Sequence, residues 1–201
     1  MKTDHSMKVE NPVVLVVVGV LILGGIFFLM QGKAGPSAGS TDSPSVSMMS
    51  EKQGKYPIAP ELQGIAGYIN TPEGTTLADF KGNVILIDFW TYSCINCIRT
   101  QPYLNAWYGQ YADKGLVIVG IHTPEFDFEK KYENVQKAVE DEKIKYPVVL
   151  DNDFQTWRAY KNQYWPRKYL IDVDGFIRYD HIGEGAYEET EAEIQKLLKE
   201  R

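Results

Sequence analysis

Two stretches of the chain are apolar at almost every position, as strands covered on both faces are. Val84-Ile85-Leu86-Ile87-Asp88-Phe89-Trp90 breaks its apolar run once, at Asp88, and Leu116 to His122 repeats the pattern. Shorter runs of the same kind, Ile65 to Ile69 and Pro147 to Leu150, predict two further strands. Tyr169 to Val173 and Phe176 to His181 flank Asp174-Gly175, a strong two-residue hairpin signal. Helical periods fall between these strands. Ile98 to Tyr111 is helix-compatible, Tyr187 to Leu198 is amphipathic, and Phe128 to Lys143 is polar and charged, with Glu129 to Lys131 and on through Glu140 to Lys145 read as a solvated face. Asp151 to Tyr160 reads as a short helix with an N-cap-like Asp. Thr71-Pro72-Glu73-Gly74 is a turn signal, and Thr76 to Gly82 reads as a helical turn stopped at glycine. The order predicts an α/β fold: a mixed central sheet flanked by helices. Trp107, Tyr108 and Tyr111 recur at helical spacing and are expected in the core.

The N-terminal part is patterned differently. Pro12 to Met30 carries no charge, and as a helix its 19 residues span roughly 28 Å, close to a bilayer's hydrocarbon thickness. Residues 12–30 are therefore expected to be a transmembrane anchor in contact with lipid, with 1–11 a short tail. Lys2 and Lys8 precede the run and Lys33 follows it, which favours a cytoplasmic N-terminus and a C-terminal domain outside the cytoplasm. A cleaved secretory signal is the rival reading, but the run is longer than a signal core and no Ala-x-Ala site follows. Residues 31–55, rich in Gly, Ser, Pro and Met, read as a flexible tether, and 56–201 as the folded domain.

The net charge of −6 belongs to the part from residue 51 onward, because Lys2, Lys8 and Lys33 balance Asp4, Glu10 and Asp42 before it. No basic stripe is present, so a nucleic-acid partner is not expected.

The chain has two cysteines, Cys94 and Cys97, at the junction between the Asp88 strand and a helix. A helix N-terminus stabilises a thiolate, and a second thiol about one turn on lies within reach to resolve a mixed disulfide. Cys94 is thus the expected nucleophile and Cys97 the resolving thiol. A bridge closing so short a loop restrains the unfolded chain little, so a purely structural role is disfavoured. No metal and no cofactor beyond a redox-active Cys94–Cys97 disulfide are expected, since neither His122 nor His181 stands at ligand spacing. Strand alternation puts Leu86, Asp88 and Trp90 on one face and Ile85, Ile87 and Phe89 on the other. A buried Asp88 near the dithiol could carry the resolving thiol's proton; otherwise it is a structural acid bonded to backbone or to a lysine. Trp165-Pro166, just before a strand, is a plausible site for a cis peptide.

The stretch Ile87-Asp88-Phe89-Trp90-Thr91-Tyr92-Ser93-Cys94-Ile95-Asn96-Cys97 resembles the active-site strand and helix start of thioredoxins. It is most similar to membrane-tethered TlpA-like and DipZ-type domains of the redoxin family. Further matches are Gly120 to Lys130, Tyr146 to Asp153, Tyr164-Trp165-Pro166 and Gly183 to Tyr187, so the resemblance covers about 62–199. It implies a thioredoxin-like fold and a thiol–disulfide oxidoreductase. It implies Cys94, Cys97 and Asp88 as catalytic residues and Pro166 as a cis-proline beside the disulfide. The backbone of Trp165 would pair with an extended substrate, and Glu125 and Phe126 would lie on a loop near the site. Protein thiols and disulfides are the implied partners, with a membrane electron donor. The chain departs from thioredoxins at Ser93, where they carry Trp, and at Ile95-Asn96, where they carry Gly-Pro.

Two other functions compete. A thiol peroxidase of the peroxiredoxin kind would use Pro-x-x-x-Thr-x-x-Cys; Thr91 and Cys94 fit, but Ile87 occupies the proline position. A binding module without catalysis would leave the paired cysteines without a purpose.

Overall fold

The computed structural model describes residues 49–201. The apolar run 12–30 and most of the expected tether lie outside the described residues. Among the described residues, no helix is long and apolar enough to cross a membrane.

Six strands form one mixed sheet: β1 (Gly67–Ile69), β2 (Val84–Trp90), β3 (Leu116–His122), β4 (Val148–Leu150), β5 (Arg167–Ile171) and β6 (Ile177–Ile182), in the order β1-β4-β3-β2-β5-β6. The runs predicted to be buried on both faces, β2 and β3, pair in parallel at its centre. β5 joins β2 antiparallel, and β6 returns from β5 through the Asp174-Gly175 turn. Gly175 takes a φ of +91° there, and Asp172 accepts hydrogen bonds from the Asp174 and Phe176 N–H groups. A mixed sheet flanked by helices is what the hydrophobic pattern predicts.

Four helices cover the sheet: α1 (Ile95–Tyr111), α2 (Tyr132–Asp141), α3 (Gln155–Ala159) and α4 (Tyr187–Glu200). Strand alternation divides the core as expected. Leu86 and Trp90 face α1, α2 and α4, packing with Leu104, Trp107, Val135, Ile194 and Leu197. Ile85, Ile87 and Phe89 face the other layer, with Leu77, Trp157 and Tyr160.

The boundaries differ for local reasons. α1 starts at Ile95, directly after Cys94, three residues before the predicted start. The polar helix expected over 128–143 is two pieces: a single 3-10 turn, Asp127–Lys130, then α2 after an extended Lys131. Glu129 is fully buried, which overturns its reading as part of a solvated face. α3 starts at Gln155, because Phe154 adopts a left-handed φ of 59°. Asp151 still serves the helix start from a distance, accepting from the Thr156 and Trp157 N–H groups at 3.1 and 2.8 Å. The folded region also begins before residue 56: Lys52, in a helical turn over 49–52, pairs with Asp172 and Asp174 at 2.9 and 2.7 Å.

Candidate active site

β2 ends at Trp90, a short turn follows, and Cys94 is the N-cap of α1. The Cys97 N–H donates to the Cys94 sulfur at 3.3 Å, and both cysteines are free thiols. One turn of helix thus separates an accessible thiol from a buried one: Cys94 is partly exposed, Cys97 only 1% exposed. Their proton affinities diverge accordingly. A hydrogen bond from the Cys97 thiol draws the Cys94 pKa down; burial opposes this, the N–H groups of Cys97 and Asn96 add to it, and the net value is about 6. Cys97 is pushed far up, first by burial, then by donating to Cys94 and by the nearby Asp88 charge. At neutral pH Cys94 is a thiolate and Cys97 a thiol.

Asp88 lies two residues before the end of β2, paired across the sheet with Gly120 on one side and Lys168 on the other. It is fully buried, and neither carboxyl oxygen has a hydrogen-bond partner among the described residues. Burial raises its pKa to about 7; the Lys168 charge works against that shift and the Cys94 charge with it. Lys168 is itself buried, with its pKa lowered by burial, and its Nζ donates to the Gly183 carbonyl at 3.1 Å. Lys168 lies just outside the strand that the hydrophobic pattern predicts over Tyr169 to Val173, and only the antiparallel register brings it opposite Asp88.

The peptide bond Trp165-Pro166 is cis, and Pro166 leads into β5. Phe89 is opposite Arg167 in the β2–β5 ladder, so Pro166 sits at the sheet end from which Cys94 departs. The Trp165 indole N–H donates to the Thr123 carbonyl at 3.0 Å, tying this bend to the end of β3. The loop after β3 carries Glu125 and Phe126, both exposed. The Glu125 charge opposes ionisation of Cys94. The Phe126 ring stacks on Phe128, with centroids 5.5 Å apart and planes 5° apart. All the residues singled out from the sequence therefore gather at one end of the sheet.

Glu129, like Lys168, is not marked out by the sequence. Its carboxylate accepts hydrogen bonds from the Ser93 hydroxyl at 2.5 Å, the Glu125 N–H at 2.6 Å and the Phe126 N–H at 2.9 Å. Burial alone would raise its pKa, but hydrogen bonds from Ser93, Thr91 and the two N–H groups outweigh it and hold the carboxyl below the usual glutamate value. An acid three residues after the start of a turn, reaching back to the turn's first N–H, is a capping pattern, and Phe126-Asp127-Phe128-Glu129 carries it. His122, also fully buried, stacks on Tyr92 and lies 3.3 Å from the Thr91 hydroxyl. Burial drives its pKa down to about 4 against the Glu129 charge, so it is a neutral core histidine at pH 7. Among the described residues, no group of three or more His, Cys, Asp or Glu side chains could hold a metal ion.

A sheet of this order, with two free thiols at the N-terminus of the helix that follows its central strand and a cis X–Pro at the same end, defines a thioredoxin-like redoxin. The chain belongs to the AhpC/TSA family, whose profile matches residues 59–180. It is 48% identical over 144 residues to the protein DipZ of Mycobacterium tuberculosis, covering 71% of this chain but only 21% of DipZ. It is 31% identical over 121 residues to the thiol-disulfide oxidoreductase ResA of Bacillus cereus, covering 60% of this chain and 67% of ResA. The solution structure of a thioredoxin-like protein in its oxidised form superposes with a TM-score of 0.66 at 26% identity, covering 72% of this chain and 97% of that one. The resemblance drawn from the active-site strand and its companion motifs is thus borne out for family and fold.

Proposed function

We propose that the protein is a membrane-tethered, extracytoplasmic thiol–disulfide oxidoreductase that reduces protein disulfides through Cys94 and Cys97. The observation that carries this reading is the asymmetry of the pair: an accessible Cys94 thiol with a pKa of about 6 above a buried Cys97 whose pKa is driven up. Only a thiolate attacks a disulfide, and the thiol below must keep its proton until its turn comes. The names of the relatives DipZ and ResA support the same chemistry.

In this reading the Cys94 thiolate attacks one sulfur of a substrate disulfide. A mixed disulfide forms and the first substrate thiolate leaves. Cys97 then attacks Cys94; its proton passes to Asp88, the Cys94–Cys97 disulfide forms, and the second substrate thiolate leaves and takes up a proton. Two electrons pass from the dithiol to the substrate, and a membrane-borne thiol reductant must return them. Asp88, with a pKa of about 7, can both accept and release that proton near neutral pH. Trp165 and Pro166 stand just before β5, at the sheet end from which Cys94 departs, and in this reading a substrate segment lies along the Trp165 backbone. The apolar run 12–30 and the lysines before it support the tether and its orientation.

Reduction of a protein disulfide by the full chain tests the reading. Cys94→Ser is expected to abolish it, and Cys97→Ser to accumulate mixed disulfides with client proteins. A Cys94–Cys97 potential near about −270 mV supports a reductase, and one near about −120 mV an oxidase. Normal reduction by Cys94→Ser sinks the proposal.

A further inference from the structure

Ser93 is exposed and immediately precedes Cys94, yet its hydroxyl is committed to Glu129. Glu129 belongs to a different segment, the loop after β3, and it is fully buried. Its other oxygen takes the N–H groups of Glu125 and Phe126, so one carboxylate clamps the loop's backbone and the dithiol turn together. Neighbouring bonds join the same two segments. The Thr123 N–H donates to the Trp90 carbonyl at 3.0 Å, and the Tyr92 hydroxyl donates to the Phe128 carbonyl at 3.3 Å. No lysine or arginine pairs with Glu129 among the described residues. Burying a carboxylate carries a desolvation cost, and here hydrogen-bond donors alone offset it.

What the clamped loop displays is two aromatic rings. Phe126 and Phe128 are 49% and 50% exposed, stacked on each other, and Tyr92 meets Phe128 at 6.2 Å. Exposed phenylalanines held in fixed relation to a reactive thiol offer a contact for an apolar side chain on the polypeptide being reduced. Glu125 precedes the two rings and Asp127 stands between them, and Asp127 pairs Lys130 at 2.7 Å, so the strip that carries the rings is not built for an acidic segment.

We propose that Glu129 is a positioning residue for substrate recognition: by fastening the 125–129 loop to Ser93, it holds Phe126 and Phe128 beside Cys94 to receive an apolar or aromatic side chain of the substrate polypeptide. This rests on the oxidoreductase reading and adds the substrate class. Glu129 does not itself meet the reacting sulfurs; it acts through the loop.

The test compares three disulfides, with dithiothreitol as reductant: a peptide disulfide carrying Phe beside its cysteine, the same peptide with Gly there, and hydroxyethyl disulfide. Glu129→Ala is expected to raise KM for the Phe peptide about tenfold, the size of a lost aromatic contact, with kcat little changed. Reduction of the Gly peptide and of hydroxyethyl disulfide should stay within about twofold of wild type. Phe126→Ala/Phe128→Ala should show the same selective loss, and adding Glu129→Ala to it should cost little more, since one surface is being removed twice. Ser93→Ala opens the clamp from the other side without emptying a buried site, and should give a smaller loss of the same kind. Equal losses on all three disulfides, or additive losses in the triple variant, overturn the role of Glu129 alone. If wild type reduces none of the three, or Cys94→Ser reduces them all, the oxidoreductase reading falls and this inference with it.

Discussion

Asp88 and Glu129 are both fully buried carboxylates at the same end of the same sheet, and they are held in opposite ways. Glu129 receives a hydroxyl and two backbone N–H groups, and its pKa falls below the ordinary value. Asp88 receives no hydrogen bond among the described residues, has a buried lysine across the strand pair, and its pKa rises to about 7. Burial is common to both, so burial does not decide the charge state; the donors do. Glu129 is held as an anion at neutral pH and fastens two segments. Asp88 is poised to gain or lose a proton where the proposed chemistry needs one moved.

The two should therefore respond to charge removal with opposite signs, and the largest effects belong to Asp88. Asp88→Asn keeps the shape and drops the charge. Turnover on a protein disulfide at pH 7 is expected to fall on the order of 100-fold, at the lower end of what a positioned acid–base group supplies. The limb of the pH–rate profile near pH 7 should vanish with it. Stability should move the other way. A carboxyl whose folded pKa is raised stabilises the fold fully below its unfolded pKa and loses that contribution as pH rises through the folded pKa, here between about 4 and 7. Above that window the charged Asp88 costs on the order of 4 kcal/mol, so Asp88→Asn should be the more stable protein at pH 8 and show no gain at pH 4. The Lys168 ammonium loses its counter-charge in the variant, which trims the gain. Denaturant unfolding at the two pH values measures the sign directly, and a variant destabilised at both would erase the contrast with Glu129.

Glu129→Ala should lose stability at neutral pH. It strands the Glu125 and Phe126 N–H groups, and two such losses amount to about 2–3 kcal/mol. The pH dependence also reverses. A carboxyl whose folded pKa is depressed stabilises above its unfolded pKa and loses that contribution as pH falls through the folded value. Wild type should therefore lose its advantage over Glu129→Ala below about pH 4. Urea midpoints from pH 3 to pH 8 test this, and a gap that does not narrow in acid would mean that Glu129 is not held as an anion.

A smaller perturbation separates packing from charge. A Cβ at Gly120, opposite Asp88 in the ladder, would stand 3.0 Å from the Trp90 indole nitrogen and 3.2 Å from a Tyr146 ring carbon. Gly120→Ala should destabilise by about 1–2 kcal/mol through overpacking, equally at pH 5 and pH 8. A loss that grew with pH would show that the change acts through Asp88 and not through space.

Much of this arrangement is legible along the chain, and what is not has a common cause. The central strands were readable because burial on both faces leaves a run of apolar residues in which Asp88 is conspicuous. The dithiol was readable because two cysteines at a strand-to-helix junction carry their own chemistry. Glu129 was not, because a short polar stretch looks the same whether its acid faces water or turns back to cap its own loop. Lys168 was not, because its meaning comes from an antiparallel pairing that no local pattern specifies. The start of α3 was missed for a backbone reason: Phe154 takes a left-handed conformation that its side chain does nothing to announce.

The finest test of the contrast is whether Asp88 and Cys94 titrate separately. Cys94 ionises near pH 6, where Asp88, with a pKa of about 7, is still mostly protonated. An uncharged neighbour exerts little field, so Asp88→Asn should move the midpoint of Cys94 alkylation by less than about half a pH unit, toward lower pH. The shift has that sign because the fraction of Asp88 that is charged disfavours a second anion. Iodoacetamide rates measured from pH 4 to pH 9 on the reduced protein give both midpoints. A downward shift of a full unit or more would place Asp88 among the charged residues at pH 6, alongside Glu129, and the proton carrier of the proposed mechanism would have to be sought elsewhere.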